Sequence, residues 1–124
     1  MDVASSLLQS ASPLQSILSC LSFLEVIAMV FQLVAHFEVK PGHEEDLRQL
    51  LVKASGIYKK DKHTIDWFIA QNKKEPTKFT AVERYTSEED GLKEHASNPF
   101  FKEFGEAAKP WLAKPVELIY NSEL

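Results

Sequence analysis

FTAVERYTSEEDGLKEHASNPFFKEF, residues 79–104, contains most of the side chains in this sequence that could perform chemistry. Its first part alternates apolar and polar residues, which predicts a strand from Lys78 to Tyr85 with Glu83 on an otherwise apolar face. Thr86 and Glu89 then have the spacing of a capping box, which predicts a helix with Thr86 at its N-cap. Asn98-Pro99 predicts a second helix start.

Working outward, the rest of the chain supplies three more strands and one clear helix. Alternation predicts strands at residues 29–40, 64–71 and 116–120. Residues 43–58 carry one apolar stripe at helical spacing, with acidic residues in the first turn, where they suit the helix dipole. The order is therefore βαββαβ, followed by a polar tail.

A βαββαβ order in a domain of this length predicts the α+β, ferredoxin-like arrangement, in which helices cover one face of an antiparallel sheet. The uncovered face would be partly apolar, so we expect a homodimer formed through the sheet faces. That face is predicted to carry Val34, Phe68, Ala70, Thr80 and Val82, together with His36 and Arg84.

Residues 1–28 differ in character from residues 29–124, which we take as the folded domain. No charge occurs between Asp2 and Glu25, and leucine and isoleucine recur at helical spacing after Ser12-Pro13. Three interpretations stay open: a helical arm on the domain or on a partner subunit, a secretory signal, and a membrane span. Glu25 and the serines argue against a span, and the absence of Lys or Arg before the apolar run argues against a signal. We therefore expect a cytoplasmic protein, unless this segment directs secretion.

The composition excludes several classes of function. The chain has 124 residues, a net charge of −4, and no cluster of Lys or Arg, so a nucleic-acid partner is not expected. The single cysteine, Cys20, has no partner for an internal disulfide, and zinc-ligand spacings and glycine-rich phosphate motifs are absent. We therefore predict no metal site and no nucleotide cofactor.

Three segments together resemble the antibiotic biosynthesis monooxygenase (ABM) domains of the dimeric α+β barrel group. They are residues 35–45 (AHFEVKPGHEE), 79–85 (FTAVERY) and 95–102 (HASNPFFK). The resemblance covers residues 30–120. The chain departs from it at Asp61-Lys62-His63, where many relatives carry Glu-x-Gly before the second strand.

The resemblance implies a homodimeric barrel with an apolar pocket between the sheet and the helices of each subunit. Many members oxygenate phenolic or quinol-like molecules with O₂ and without metal or flavin, whereas others are isomerases or have no known activity. Haem-degrading relatives carry an Asn and a haem-ligating His at positions that correspond to Ala35 and Gly105, so haem degradation is not expected. Family membership predicts the fold more firmly than the reaction.

The expected pocket is mostly aromatic and suits a small apolar, ring-containing substrate such as an aromatic, quinol or polyketide-like metabolite. Its predicted substrate-binding residues are Leu33, Ala35, Phe37, Phe79, Phe100, Phe104 and Trp111. A cofactor-free oxygenase needs a base near neutral pKa and donors that stabilise the substrate anion.

Four residues are predicted to perform that chemistry. His95 is the candidate base because imidazole titrates near neutral pH, and Glu83 would orient it. Tyr85 and Trp67 are the candidate donors. The alternative is that His95 and Glu83 are structural groups satisfied within the fold, and that the protein is a non-catalytic binding or structural module. A haem-binding or isomerase variant is a third alternative.

Overall fold

The computed structural model of the chain describes residues 30–124, and the predicted arm helix of residues 1–28 lies outside them. The elements, in order, are β1 Phe31–Glu38, α1 Glu44–Tyr58, β2 Thr64–Gln71, β3 Lys78–Tyr85, α2 Glu88–Ser97, α3 Pro99–Ala108, a 3₁₀ turn Lys109–Trp111 and β4 Glu117–Ser122. The predicted bounds of β2 and β3 agree with the structure, and β4 begins one residue later than predicted and ends two residues later. No helix of the described part is long and apolar enough to cross a membrane.

The four strands form one antiparallel sheet in the order β2-β3-β1-β4. The first strand is central because it pairs with β3 on one side and with β4 on the other. This order is that of the ferredoxin-like βαββαβ fold, so the predicted fold class is confirmed.

Helices cover one face of the sheet and close the hydrophobic core against it. Alternate residues of β1 and β3 are buried, as expected for strands with one face on a core. The buried stripe of α1 packs over them with a helical period of three and four residues. That stripe is Leu47, Leu51, Ala54 and Tyr58.

The junction between β3 and α2 brings a helix very close to the sheet. A Cβ atom on Gly91 would lie 2.3 Å from Cβ and 2.5 Å from Cγ of Tyr85. A glycine is therefore required at this contact because any side chain would overlap the strand below. The contact fixes how α2, which carries His95, sits over the end of β3.

Two local predictions are corrected in the same region. Ser87, and not Thr86, caps α2, because its side chain accepts a hydrogen bond from the Asp90 N–H at 3.2 Å. Thr86 instead bonds to His63, with its backbone N–H 2.9 Å from the His63 carbonyl oxygen.

The start of β2 also departs from simple alternation. The pairing with β3 shifts register between Thr64 and Asp66, and Ile65 is left 44% exposed although alternation would place it beside Trp67. A bulge of this kind moves one side chain out of the apolar face while the rest of the strand keeps its register.

The face of the sheet that no described helix covers, called the uncovered face below, carries one apolar row that crosses all four strands. The register joins Phe68 to Val82, Val82 to Val34, and Val34 to Ile119. The rows on either side are mostly polar: Asp66, Arg84, Gln32 and Asn121 on one side, and Ala70, Thr80, His36 and Glu117 on the other. We call Phe68, Val82, Val34 and Ile119 the apolar row. Phe68 and Ile119 are 44% and 39% exposed.

Candidate active site

A cavity of about 580 Å³ lies between the sheet and the helices, and its walls are predominantly apolar. The size is within the range of pockets that hold small organic ligands. The floor is formed by β1 together with β4, and the roof by α2 and α3. On the β4 side the cavity meets solvent, since Leu118 and Tyr120 line it and are 48% and 55% exposed.

A buried carboxylate forms the polar end of the cavity. Glu83 is 4% exposed and points from β3 toward the helices, among side chains that are otherwise apolar. The Tyr85 hydroxyl donates a hydrogen bond to Glu83 Oε1. The Nε2 atom of His95 lies 3.7 Å from the same oxygen, beyond hydrogen-bond distance and within reach of an ion pair.

Burial shifts the pKa values of all three groups. It raises the pKa of the Glu83 carboxyl, an effect that the Tyr85 hydrogen bond partly offsets. The pKa of the Tyr85 hydroxyl is raised by burial and by the neighbouring Glu83 charge. Burial lowers the pKa of His95 to about 4, so the imidazole is neutral at pH 7 but is a weaker base than the near-neutral group that the sequence predicted.

Two buried polar atoms in this cluster have no hydrogen-bond partner among the described residues, namely Trp67 Nε1 and His95 Nδ1. Such atoms are rare in folded proteins and are typical of sites that store strain or await a ligand. The Trp67 indole N–H lies near the Glu83 carboxyl and lowers its pKa, although less than the Tyr85 hydrogen bond does. Its geometry is not that of an ordinary hydrogen bond.

Tyr58 contributes a hydroxyl-bearing ring that the sequence did not single out as chemistry. Its ring centroid is 4.2 Å from that of His95 and 5.3 Å from that of Trp67, and it lines the cavity. Burial, followed by the charge of Glu83, raises the pKa of its hydroxyl, which therefore stays protonated. The sequence does indicate that Tyr58 faces the interior, because it is the last member of the apolar stripe of α1.

The structure places seven predicted residues in the cavity wall. They are Leu33, Ala35, Phe37, Phe104, Trp67, Glu83 and His95. Ala35 and Gly105, which correspond to the haem-related positions, also line the cavity, and neither has a ligating side chain.

Four predicted residues do not line the cavity, and each has a physical reason. The ring of Phe100 is buried against Tyr58 and Phe104, with centroids 5.7 and 6.1 Å away. Trp111 is partly buried against the core and stacks on His43, with ring centroids 6.2 Å apart. Phe79 is 4% exposed and lies at the far end of the sheet, beside a shallower polar groove. Tyr85 is held beneath Gly91 with its hydroxyl committed to Glu83.

The wall also includes residues that the sequence did not indicate, chiefly from α2, α3 and β4. They are Leu92, Ala96, Phe101, Gly105, Ala108, Lys109, Leu112, Val116, Leu118 and Tyr120. They come from separate elements that the tertiary packing brings together around the cavity, so no local pattern of the sequence groups them.

Polar contacts fix the end of α2 that carries His95. The Glu94 carboxylate accepts hydrogen bonds from the backbone N–H groups of Lys62 and His63 at 2.9 and 2.6 Å. The Asn98 side-chain amide donates to Asp61 Oδ1 at 3.0 Å, while its oxygen caps α3. His95 therefore sits between two anchors to the α1–β2 connection, which restricts the position of its ring.

No group of three or more His, Cys, Asp or Glu side chains within residues 30–124 is arranged to hold a metal ion. The predicted absence of a metal or organic cofactor stays a prediction.

The described residues form an α+β ferredoxin-like domain with a predominantly apolar internal cavity. The antibiotic biosynthesis monooxygenase family model matches residues 30–107, and the chain belongs to this family. None of the curated proteins compared matches the sequence.

Solved structures agree with the family on the fold. A protein of Nitrosomonas europaea, named as a candidate antibiotic biosynthesis monooxygenase, is similar with a TM-score of 0.74 and 16% identity over 78% of this chain and 92% of that one. A conserved protein of Methanosarcina mazei is similar with a TM-score of 0.73 and 22% identity over 82% and 99%. A protein of Pseudomonas aeruginosa is similar with a TM-score of 0.72 and 19% identity over 77% of this chain and 95% of that one. At these identities the likeness supports the fold alone.

Proposed function

We propose that this protein is a cofactor-independent monooxygenase that oxidises a small aromatic, quinol or polyketide-like molecule inside the cavity. The observation that supports this most directly is a neutral histidine and a buried carboxylate, 3.7 Å apart, at one end of an otherwise apolar chamber. Family membership supports the same reaction class.

His95 acts as the base in this proposal. Its neutral imidazole accepts a proton from an activated C–H or from a phenolic hydroxyl of the substrate, and the imidazolium that forms is stabilised by the Glu83 carboxylate. Tyr85, by donating to Glu83, favours the ionised form of that carboxylate. Because burial lowers the pKa of His95, the proton transfer depends on the nearby Glu83 carboxylate, 3.7 Å away, to stabilise the imidazolium.

The donors to the substrate anion are assigned to Tyr58 and Trp67, in place of Tyr85. The Tyr85 hydroxyl is committed to Glu83, whereas the Trp67 indole lines the cavity and its N–H has no partner among the described residues. Tyr58 lines the cavity beside His95, and its raised pKa keeps its hydroxyl protonated as a neutral donor.

The remaining steps need no external reductant. The substrate anion transfers one electron to O₂, and the resulting radicals combine to a substrate hydroperoxide, which loses water to give a ketone. The sum is CH₂ + O₂ → C=O + H₂O, in which the substrate supplies all four electrons. The apolar wall favours this sequence because it admits O₂ and excludes bulk water from the intermediate.

Oxygen uptake with a panel of quinols and anthrones, with and without chelator, tests the proposal. We expect chelator-insensitive turnover that His95→Gln lowers by about 10²-fold or more, the usual contribution of a general base, and that Tyr58→Phe lowers by about tenfold. His43→Gln is the matched control, because His43 is an exposed histidine outside the cavity. Folded protein with no turnover on any member of the panel would instead support a non-catalytic binding module.

A homodimer through the uncovered sheet faces belongs to the same proposal. The apolar row crosses the whole sheet and is bordered by mostly polar rows, which is the pattern of a surface that packs on a second copy. Proteins of this family are generally dimeric, which agrees with that arrangement.

A further inference from the structure

The lining of the cavity contains only two formally charged side chains among the described residues, Glu83 and Lys109. Glu83 is buried beside Trp67 and His95, whereas Lys109 is exposed at the end of α3. Between them the wall is made almost entirely of aliphatic and aromatic side chains. The cavity therefore has an acidic inner end and a basic outer end.

The two charges lie at opposite ends along the strand direction. Glu83 pairs with Leu33 on β1, while Leu112, three residues after Lys109, forms a bridge with Val39. Leu33 and Val39 are six residues apart along β1, which corresponds to roughly 20 Å between these two levels. A molecule that reaches from one end to the other must be elongated.

Lys109 makes no ion pair with another described residue, whereas Lys102 and Lys114 each do. Lys102 pairs with Glu106 at 3.9 Å, and Lys114 pairs with Glu38 at 3.5 Å. A lysine at a helix C-terminus is favourable in itself, so a purely structural role for Lys109 is the alternative that the test must separate.

Resting on the proposed function, we propose that the substrate is a flat, elongated, ring-containing carboxylic acid. Its oxidisable ring lies beside His95 at the inner end, and its carboxylate lies beside the Lys109 ammonium at the outer end. The Glu83 charge repels a carboxylate from the inner end, so the two charges together orient the molecule.

Binding of two matched, non-oxidisable probes tests this orientation without any turnover. Anthraquinone-2-carboxylate carries the charge, and 2-(hydroxymethyl)anthraquinone is its neutral counterpart. Trp111→Phe leaves Trp67, which lines the cavity, as the only tryptophan, so quenching of its fluorescence reports occupancy. We expect the carboxylate to bind about fivefold more tightly at low ionic strength, the upper range for an exposed ion pair, and this preference to vanish at about 0.5 M salt.

Substitutions of Lys109 and Lys114 show which side chain causes the preference for the carboxylate probe. Lys109→Met should abolish the preference and keep affinity for the neutral probe, while Lys109→Arg should retain the preference. Lys114→Met is the matched control, because Lys114 lies outside this cavity and should leave the preference intact. A structural role for Lys109 would change thermal stability and leave the ratio of the two affinities unchanged.

Three results would overturn the inference: equal binding of the two probes, an equal effect of Lys109→Met and Lys114→Met, or no binding of either probe by folded protein. The proposed function is judged separately by oxygen uptake on neutral anthrones. Uptake that persists while the two probes bind equally removes only the carboxylate inference. Charge preference without uptake removes only the oxygenase.

Discussion

At Glu83 a carboxylate occupies a strand position whose neighbours on the same face are apolar, and the surrounding residues determine its chemistry. Tyr85 holds it by a hydrogen bond, and His95 lies 3.7 Å away. Burying a carboxylate without such partners would cost several kcal/mol. The cluster is therefore a structural unit, and in the proposed function the same two side chains serve as an acid–base pair.

The shifted pKa of His95 predicts a specific dependence of stability on pH. Folding holds the imidazole neutral with a pKa of about 4, while the unfolded chain takes up a proton below its ordinary 6.5. The stability that depends on the neutral form is thus complete above pH 6.5 and is lost as pH falls toward 4. The shift corresponds to on the order of 3 kcal/mol.

Urea unfolding of the wild type and of His95→Gln across this pH range checks the linkage. We expect the wild type to lose stability more steeply between pH 6.5 and 4 than the variant does. Glu83, whose raised pKa acts in the opposite direction, is present in both proteins and largely cancels in the difference. His43→Gln should behave as the wild type does, and parallel curves for wild type and His95→Gln would contradict a buried neutral histidine.

Candidate site residues could be predicted from the sequence where a polar side chain interrupts an apolar pattern. Glu83 and His95 were found in this way, because each lies on a face that periodicity assigns to the core. Tyr58 was missed as chemistry because a tyrosine in an apolar stripe is usually a core residue, and only the geometry shows its ring against His95. The commitment of Tyr85 to Glu83 likewise depends on side-chain rotamers that no sequence pattern encodes.

Among the elements, α2 has the tightest contact with the sheet. Gly91 allows the helix backbone to lie on Tyr85, and this approach places His95 over Glu83.

Gly91→Ala is expected to destabilise the fold by about 1–3 kcal/mol, because the added methyl must displace the Tyr85 side chain near its backbone. The gain of about 1 kcal/mol in helix propensity offsets only part of this. Gly56→Ala is the matched control, since a Cβ there meets nothing within 4 Å in a helix of the same domain. That variant should be neutral or more stable, and thermal unfolding of the two proteins compares them directly. Equal stability of both variants would contradict the close contact.

The sequence predicted the strands and helices of the described domain in their correct order. Two local predictions were wrong, and each has a local cause. Both Thr86 and Ser87 can cap a helix, and the choice fell to Ser87 because Thr86 is engaged by His63. The bulge at the start of β2 removed Ile65 from the apolar face, and alternation alone gives no sign of it.

At the scale of the whole described domain, the apolar row is a line of partly exposed apolar side chains that no described residue covers. It extends across the four strands and includes Phe68 and Ile119 on the two edge strands. The fold class followed from the order of elements, whereas the continuity of this row depends on the register, which sequence does not specify.

Ile119→Asp should therefore convert a dimer into a monomer at micromolar concentration, because it places a charge in an apolar interface. Leu118→Asp is the matched control: the neighbouring residue is similarly exposed but faces the cavity side of the sheet. Light scattering of the wild type and both variants gives the answer. A monomeric wild type, or equal dissociation by both substitutions, would contradict the sheet-face dimer.

The central claim is that residues of this chain suffice to insert oxygen into an apolar substrate. The most direct test is mass spectrometry of the product formed from an anthrone under ¹⁸O₂ by the full-length, chelator-treated protein. We expect one ¹⁸O atom in each product molecule, one O₂ consumed for each substrate, and loss of this product with His95→Gln. Product oxygen derived from water, or incorporation that persists unchanged in His95→Gln, would contradict it.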